Sequence, residues 1–182
     1  FIYHWLVDRV RRRHQKFPFA NKVYFSLLCG RHNLACSAVV AIASRSGVEM
    51  QVAAHKELPP VDLFVKIKHG RGGRGAEKWS YVGDRYRNGA GRELGRAEFV
   101  DYLTRRARFE KRIVQYCLVN HSALSDINLG ALATARVMTC RNEAGGVEAT
   151  HAVFRMPQKP GASVDNIHAG GIAAAVDIKT GR

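Results

Sequence analysis

The sequence predicts an α+β fold, in which helices and strands follow one another without the regular strand–helix–strand order of parallel α/β proteins. Its 182 residues are 46% apolar and 24% charged, which is typical of a folded globular chain. Some segments alternate apolar and polar residues, as strands do, and others space apolar residues three or four positions apart, as helices do. No stretch reaches the ~18 uninterrupted apolar residues that a membrane-spanning helix needs.

Each predicted element follows from a local pattern. Asn21 precedes an apolar run, and its side chain can cap a helix that begins at Lys22. Residues 142–146 join two alternating segments as a hairpin turn. In chain order, we predict helices over 1–16 and 22–31, strands over 61–68 and 76–82, a helix over 96–108, strands over 112–118, 134–141 and 147–156, and a strand with a turn over 172–181.

The chain is strongly basic, since 29 lysines and arginines stand against 15 aspartates and glutamates and give a formal charge of +14. Such surfaces bind nucleic acid, acidic membranes or phosphorylated small molecules, although a solvated basic face without a partner is equally common. Between Lys66 and Arg112 there are 14 basic and 6 acidic residues. A nucleic-acid-binding module is therefore an alternative function, and the lack of an aromatic stacking platform near the glycines disfavours it.

Four cysteines lie in apolar stretches without any Cys-x-x-Cys pair: Cys29, Cys36, Cys117 and Cys140. This pattern predicts buried, reduced thiols and a cytoplasmic protein. The eight histidines lack the spacing of zinc fingers, so we do not expect a zinc site.

A glycine-rich loop over residues 69–75 joins two of the predicted strands. The spacing Gly-x-Gly-x-x-Gly also occurs in dinucleotide-binding loops, but those continue into a helix, and here an alternating segment follows. Backbone N–H groups of glycine can approach phosphate oxygens closely, and arginines add positive charge. We therefore expect a lid over a nucleotide, with a plain hairpin turn as the alternative. The loop contains Gly70, Arg71, Gly72, Gly73, Arg74 and Gly75.

Lys66 lies in the apolar run that precedes this loop. Strand parity places it opposite Val65 and Ile67, on the face of Phe64 and Lys68. Burying a lysine in such a run costs free energy unless an anion meets the ammonium group. A phosphate would supply that anion.

The strand, lysine and glycine loop of residues 64–75 resemble those of ATP-grasp enzymes. Asn21-Lys22-x-x-Phe25 resembles the upstream helix start of these enzymes, and residues 115–118 resemble their hinge strand beside adenine. The order of further motifs is most similar to the sugar-transfer-associated ATP-grasp family, a group of ligases. These motifs are Gln115 to His121, Thr134 to Thr139, Phe154-Arg155, Val164 to Asn166, Gly170-Gly171 and Asp177 to Gly181.

The resemblance implies two mixed α+β subdomains with a nucleotide between them. It also implies an ATP-dependent carboxylate ligase that acts through an acyl-phosphate, in the synthesis of a glycan or cell-surface polymer. We expect N-terminal helices and a linker over 1–60, a lid subdomain over 61–114 and the first part of the C-terminal subdomain over 115–182. Both ends are expected to be incomplete, because the first methionine is Met50 and the last predicted strand and turn stop at Arg182.

ATP and Mg²⁺ are the cofactors that the resemblance implies, with the metal ligands beyond residue 182 and the fragment inactive alone. The residues implied to contact the phosphates are Lys22, Lys66, Gly70, Gly72, Gly73, Gly75 and Asn166. Those implied to surround adenine and ribose are Gln115, Tyr116, Leu118 and His121. Two arginines, Arg136 and Arg155, are implied to face the transferred phosphoryl group.

Each role has a structural alternative. Arg136 and Arg155 fit outward-facing strand positions, residues 165–166 fit an Asx turn, and His121 fits a capping position. Asp177 is expected to close the turn with Thr180. A catalytically inactive scaffold with the same fold is the third functional alternative.

Overall fold

The computed structural model describes residues 21–70, 73–127, 131–158, 165, 167 and 170–182. The helix predicted over residues 1–16 lies outside these ranges. The elements in chain order are α1 (Lys22–Arg31), β1 (Val39–Ser44), β2 (Gly47–Met50), β3 (Leu63–Ile67), β4 (Glu77–Val82), β5 (Arg85–Asn88), β6 (Glu93–Leu94), α2 (Arg96–Arg106), β7 (Arg112–Tyr116), a 3-10 helix (Ser122–Ile127), β8 (Thr134–Arg141), β9 (Val147–Met156) and β10 (Ile172–Val176).

Seven strands form one antiparallel sheet in the order β2-β1-β7-β3-β4-β5-β6. Strand β7, which follows α2 in the chain, lies between β1 and β3 and so joins the earlier strands into one sheet. A second sheet of three antiparallel strands has the order β10-β9-β8. The mixture of helices and antiparallel strands confirms the predicted α+β class.

Helix α2 packs on one face of the large sheet through aromatic side chains. Phe99 is fully buried, with its ring centroid 4.7 Å from that of Trp79 and 4.4 Å from that of Tyr86. Strand β3 alternates between this core and the opposite face, so that Leu63 and Val65 are buried while Lys66 is only half-buried. The predicted parity of Lys66 is confirmed.

The large sheet draws on all three predicted regions. Strands β1 and β2 come from residues 1–60, whereas β3 to β6 come from residues 61–114, and β7 crosses the predicted boundary at residue 114. The division into three regions stays a prediction. Both of its boundaries fall within the segment that builds this one sheet.

The cysteines confirm one expectation and contradict another. All four cysteines are free thiols, as predicted, but only Cys29 is buried, whereas Cys36 and Cys140 are exposed. The expectation that all four are buried is wrong, because apolar neighbours in the sequence do not place these two residues in the core.

Within the described ranges, no helix combines the length and apolar character that a membrane crossing requires.

Candidate functional site

The glycine-rich loop connects β3 directly to β4, and these two strands pair in antiparallel fashion. The predicted strand–loop–strand is thus confirmed, and the helix of a dinucleotide-binding loop does not follow the glycines. Gly73 and Gly75 have backbone φ angles of 73° and 65°, which L-residues with a side chain rarely adopt. A Cβ atom at Gly70 would lie 2.9 Å from the Cβ of Ile67, so this position also requires glycine. Gly72 lies outside the described residues.

Two basic side chains hold the two ends of this loop. The ammonium group of Lys22 donates to the carbonyl oxygens of Gly70, at 2.7 Å, and Lys68, at 3.3 Å. The guanidinium group of Arg112 donates to the carbonyl oxygen of Gly75 at 2.9 Å. Because both anchors use backbone oxygens, the position of the loop ends is fixed independently of the loop's own side chains.

Lys22 begins helix α1, and its position follows from a helix cap. The side-chain oxygen of Asn21 accepts hydrogen bonds from the backbone N–H groups of Val23 and Tyr24. This is the predicted N-cap. The backbone N–H group of Lys22 donates to the carbonyl oxygen of Lys68 at 3.4 Å. The first residue of the helix therefore lies against the end of strand β3.

The ammonium group of Lys22 lies at the end of the strand that carries Lys66, since it donates to the carbonyl oxygen of Lys68. Burial lowers the pKa of the Lys22 ammonium group, and the charge of Lys66 lowers it further. Burial likewise lowers the pKa of Lys66, and the nearby Cys36 acts in the opposite direction. Neither lysine forms an ion pair with a carboxylate in the described part of the chain. A bound anion would offset both effects, because it favours the charged form of each lysine.

Gln115 lies on the same face of the sheet as Lys66. In the β3–β7 register, Gln115 is opposite Phe64 and Ile113 is opposite Lys66, and opposite residues of an antiparallel pair project to one face. The Gln115 amide nitrogen donates to the carbonyl oxygen of Ser37 at 2.6 Å. Its side chain is therefore fixed by the segment that leads into β1.

Tyr116 projects to the other face, opposite Leu63, and its hydroxyl group lies 2.7 Å from Nε2 of His55. Its backbone carbonyl accepts a hydrogen bond from the Ser37 hydroxyl group at 3.2 Å. Leu118 is exposed. His121 is also exposed, and its Nδ1 accepts from the N–H group of Ala123 at the start of the 3-10 helix. That contact matches the capping alternative for His121, whereas the adenine and ribose contacts of these residues stay predictions.

Arg136 and Arg155 lie on one face of the three-stranded sheet, because Arg155 is opposite Thr134 and Arg136 is two residues further along β8. Arg136 is exposed. Arg155 is buried, donates to the carbonyl oxygen of Asp165 at 3.0 Å and forms an ion pair with the Asp165 carboxylate at 3.5 Å. Thr134 also donates to that carboxylate. Arg155 thus holds Asp165, and Asn166 lies outside the described residues.

Sequence reasoning did not find two of the groups that build this site. The sequence places Arg112 at the start of a strand and in the basic run that follows a helix, and its charge gives no sign that it is buried against the glycine loop. Ser37 lies in a segment without a clear pattern, so its contacts with Gln115 and Tyr116 depend on how β1 pairs with β7. Pairing between distant strands is visible only in the fold.

The residues that meet at the glycine loop fit the phosphates of a nucleotide. Ammonium groups and glycine N–H groups are donors that suit phosphate oxygens. The Lys22 ammonium group also donates to two loop carbonyl oxygens, and the N–H group of Gly70 donates to the carbonyl oxygen of Ile67. Over the described ranges, no group of three or more His, Cys, Asp and Glu residues is placed to hold a metal ion. The Asp177 carboxylate instead accepts hydrogen bonds from the N–H groups of Lys179 and Thr180, which lower its pKa and close the predicted turn.

Comparison with known families gives one match. A family model described as sugar-transfer associated ATP-grasp matches residues 4–182. No curated protein and no solved structure matches the chain. The match covers both sheets and the glycine loop described above.

Proposed function

The chain belongs to the sugar-transfer associated ATP-grasp family, and we propose that it is the ATP-binding part of a carboxylate ligase that acts through an acyl-phosphate. ATP would phosphorylate a carboxylate, and an amine or a related nucleophile would then displace the phosphate. We place this activity in the synthesis of a glycan or cell-surface polymer, and in the cytoplasm, where ATP is available and cysteines stay reduced.

The juxtaposition of Lys22 and Lys66 is the observation that carries this proposal. The two lysines come from different elements, and each has a lowered pKa and no carboxylate partner among the described residues. Folding brings two like charges together at a cost in free energy. A triphosphate between them would convert this repulsion into attraction, because it presents several anionic oxygens over a short distance.

The glycine loop would close over the same phosphates. Its ends are held by Lys22 and Arg112, while Gly73 and Gly75 take left-handed backbone conformations. Fixed ends and four glycines would allow the loop backbone to approach the phosphates closely. We propose that Gly70 and Gly72 take part in the same contact surface.

Adenine would lie further along β7, on the face that Gln115 and Lys66 share. We propose that Gln115, the Tyr116 backbone and Leu118 border the base and that His121 lies near the ribose. Arg136 would contact the transferred phosphoryl group. Arg155 and Asn166 would act beside it, with Arg155 holding Asp165 in place.

Magnesium would neutralise charge on the transferred phosphoryl group when it is bound. The residues of this chain would bind the nucleotide, orient it through the two lysines and exclude water by closing the loop. We propose that the acidic ligands of the metal are not among the residues described above.

Trapping of the acyl-phosphate tests the reaction. The full-length protein is incubated with ATP, magnesium, a panel of carboxylates and hydroxylamine, which converts an acyl-phosphate into a stable hydroxamate. We expect ADP and the hydroxamate of one carboxylate class. Formation of AMP and pyrophosphate would contradict the proposal, because that pair of products indicates an acyl-adenylate.

A further inference from the structure

A second basic site lies in an open groove between the β1–β2 turn and the end of helix α2. The groove has a volume of about 540 Å³. It is lined by Arg45, Ser46, Thr104, Arg105 and Arg108. Every lining residue carries a polar group and three of the five are arginines, which favours an anionic ligand.

The three arginines of this groove are not neutralised by a neighbouring carboxylate among the described residues. None of them forms an ion pair with a carboxylate in the described part of the chain. Their neighbour Arg106 differs, because it pairs with Glu77 at 3.1 Å. Asp101, one turn before Arg105, is exposed and makes no ion pair within the described ranges.

Three guanidinium groups around one groove favour a particular kind of ligand. A planar guanidinium group can donate two parallel hydrogen bonds to the oxygens of a phosphate. The hydroxyl group of Ser46 is a further potential donor, while the Thr104 hydroxyl group already donates to the carbonyl oxygen of Val100 at 2.9 Å. We infer that this groove binds a phosphate group of an anionic ligand, at a site separate from the lysines of the glycine loop.

The fold explains why the two sites are neighbours and yet distinct. Ala43 at the end of β1 and Ile67 at the end of β3 are both opposite Arg112. The β1–β2 turn and the glycine loop therefore leave the sheet at the same end, on either side of β7. Helix α2 packs on the core face, whereas Lys66 projects to the other face.

Residues 108–111 lie between the groove and the glycine loop. Arg108 lines the groove, whereas Glu110 forms an ion pair with Arg74 of the loop at 3.0 Å. The carbonyl oxygen of Lys111 accepts a hydrogen bond from the N–H group of Lys68 at 2.9 Å. The inferred phosphate site uses none of the residues assigned to the nucleotide, so it does not depend on the proposed ligase function. It adjoins residues 108–111, which contact the glycine loop and the end of β3.

Calorimetric titration with pyrophosphate at low ionic strength tests this inference. Three chains are compared: the wild type, the groove variant R45S/R105S/R108S and the charge-matched control R31S/R141S/R182S, whose arginines lie outside the groove. The Lys66→Met substitution is added to all three, so that phosphate binding at the nucleotide site is weakened equally in each. We expect the groove variant to lose affinity by about tenfold or more and the control to lose much less. Equal losses in the two variants would overturn the inference, because they would indicate attraction by net charge alone.

The source of the phosphate is tested with vesicles made of equal parts phosphatidylcholine and phosphatidate. Groove-dependent binding to these vesicles assigns the site to a lipid headgroup. Groove-dependent binding of pyrophosphate without vesicle binding assigns it to a soluble phosphate. If neither probe distinguishes the groove variant from its control, the inference is wrong. ATP binding to the chain without the Lys66 substitution reports on the proposed function separately.

Discussion

The ammonium group of Lys22 lies 2.7 Å from the carbonyl oxygen of Gly70, which is 48 residues further along the chain. This contact joins the start of helix α1 to the start of the glycine loop. At the other end of the loop, Arg112 makes the equivalent contact with Gly75. The loop is therefore held at both ends by basic side chains that other elements supply.

Arg112→Met is expected to lower the free energy of unfolding by about 2–4 kcal/mol. The substitution leaves the carbonyl oxygens of Gly75 and Arg106 without their donor and removes a positive charge 3.9 Å from Glu77. Urea unfolding measures the change. Arg74→Met is the control, because the Arg74 side chain is 71% exposed, and its ion pair is expected to contribute about 0.5 kcal/mol or less. Equal effects of the two substitutions would contradict the assigned role of Arg112.

Gly75→Ala and Gly30→Ala are expected to change stability in opposite directions. At Gly75, where φ is +65°, a Cβ atom would lie 3.3 Å from Ile67 Cδ1 and 3.4 Å from Arg112 Nη1. We expect a loss of about 1–2 kcal/mol. A Cβ atom at Gly30, in helix α1, would meet nothing within 4 Å, so alanine should stabilise the chain by roughly 0.5–1 kcal/mol. Thermal unfolding of both variants checks the two signs, and a stabilised Gly75→Ala chain would refute the loop geometry.

The stability of the chain should depend on alkaline pH through Lys22 and Lys66. Folding lowers both pKa values below the usual lysine value of 10.5. Between the lowered pKa values and 10.5, the unfolded chain binds more protons than the folded chain, so the free energy of unfolding rises with pH in that window. The rise should be small, since both side chains keep part of their contact with solvent.

The double variant K22M/K66M isolates this effect. Urea unfolding at a series of alkaline pH values should show the rise in the wild type and not in the double variant. K56M/K111M is the control, because Lys56 and Lys111 are exposed. If the wild type and K22M/K66M share one pH dependence, the two lysines are not the groups that burial perturbs.

Local patterns in the sequence predicted the elements that bound the site. The Asn21 cap, the alternation around Lys66 and the strand after the glycines are each encoded within a few residues, and all three are confirmed. Strands β1 and β2 were missed, because residues 39–50 contain alanines and a short turn in place of a clear alternation. The prediction ended strand β7 two residues too late.

Contacts between distant segments could not be predicted in this way. Arg112 reaches Gly75 only because β7 inserts between β1 and β3, which no local pattern specifies. The burial of Arg155 against Asp165 likewise depends on the path of the chain after β9. Lys22 was expected to contact phosphate, and its bonds to the loop backbone were not foreseen.

ATP binding by Lys66→Met measures the central claim most directly. Calorimetry compares the wild type, Lys66→Met and the exposed control Lys56→Met, and urea unfolding checks that all three are folded. We predict that Lys66→Met binds ATP at least about 100-fold more weakly, as expected for a lost charge-assisted contact to phosphate in a partly buried site, while its free energy of unfolding does not fall. The control should bind ATP as the wild type does. Unchanged ATP affinity in a folded Lys66→Met chain would contradict the account, because the nucleotide would then bind without the lysine on which the site depends.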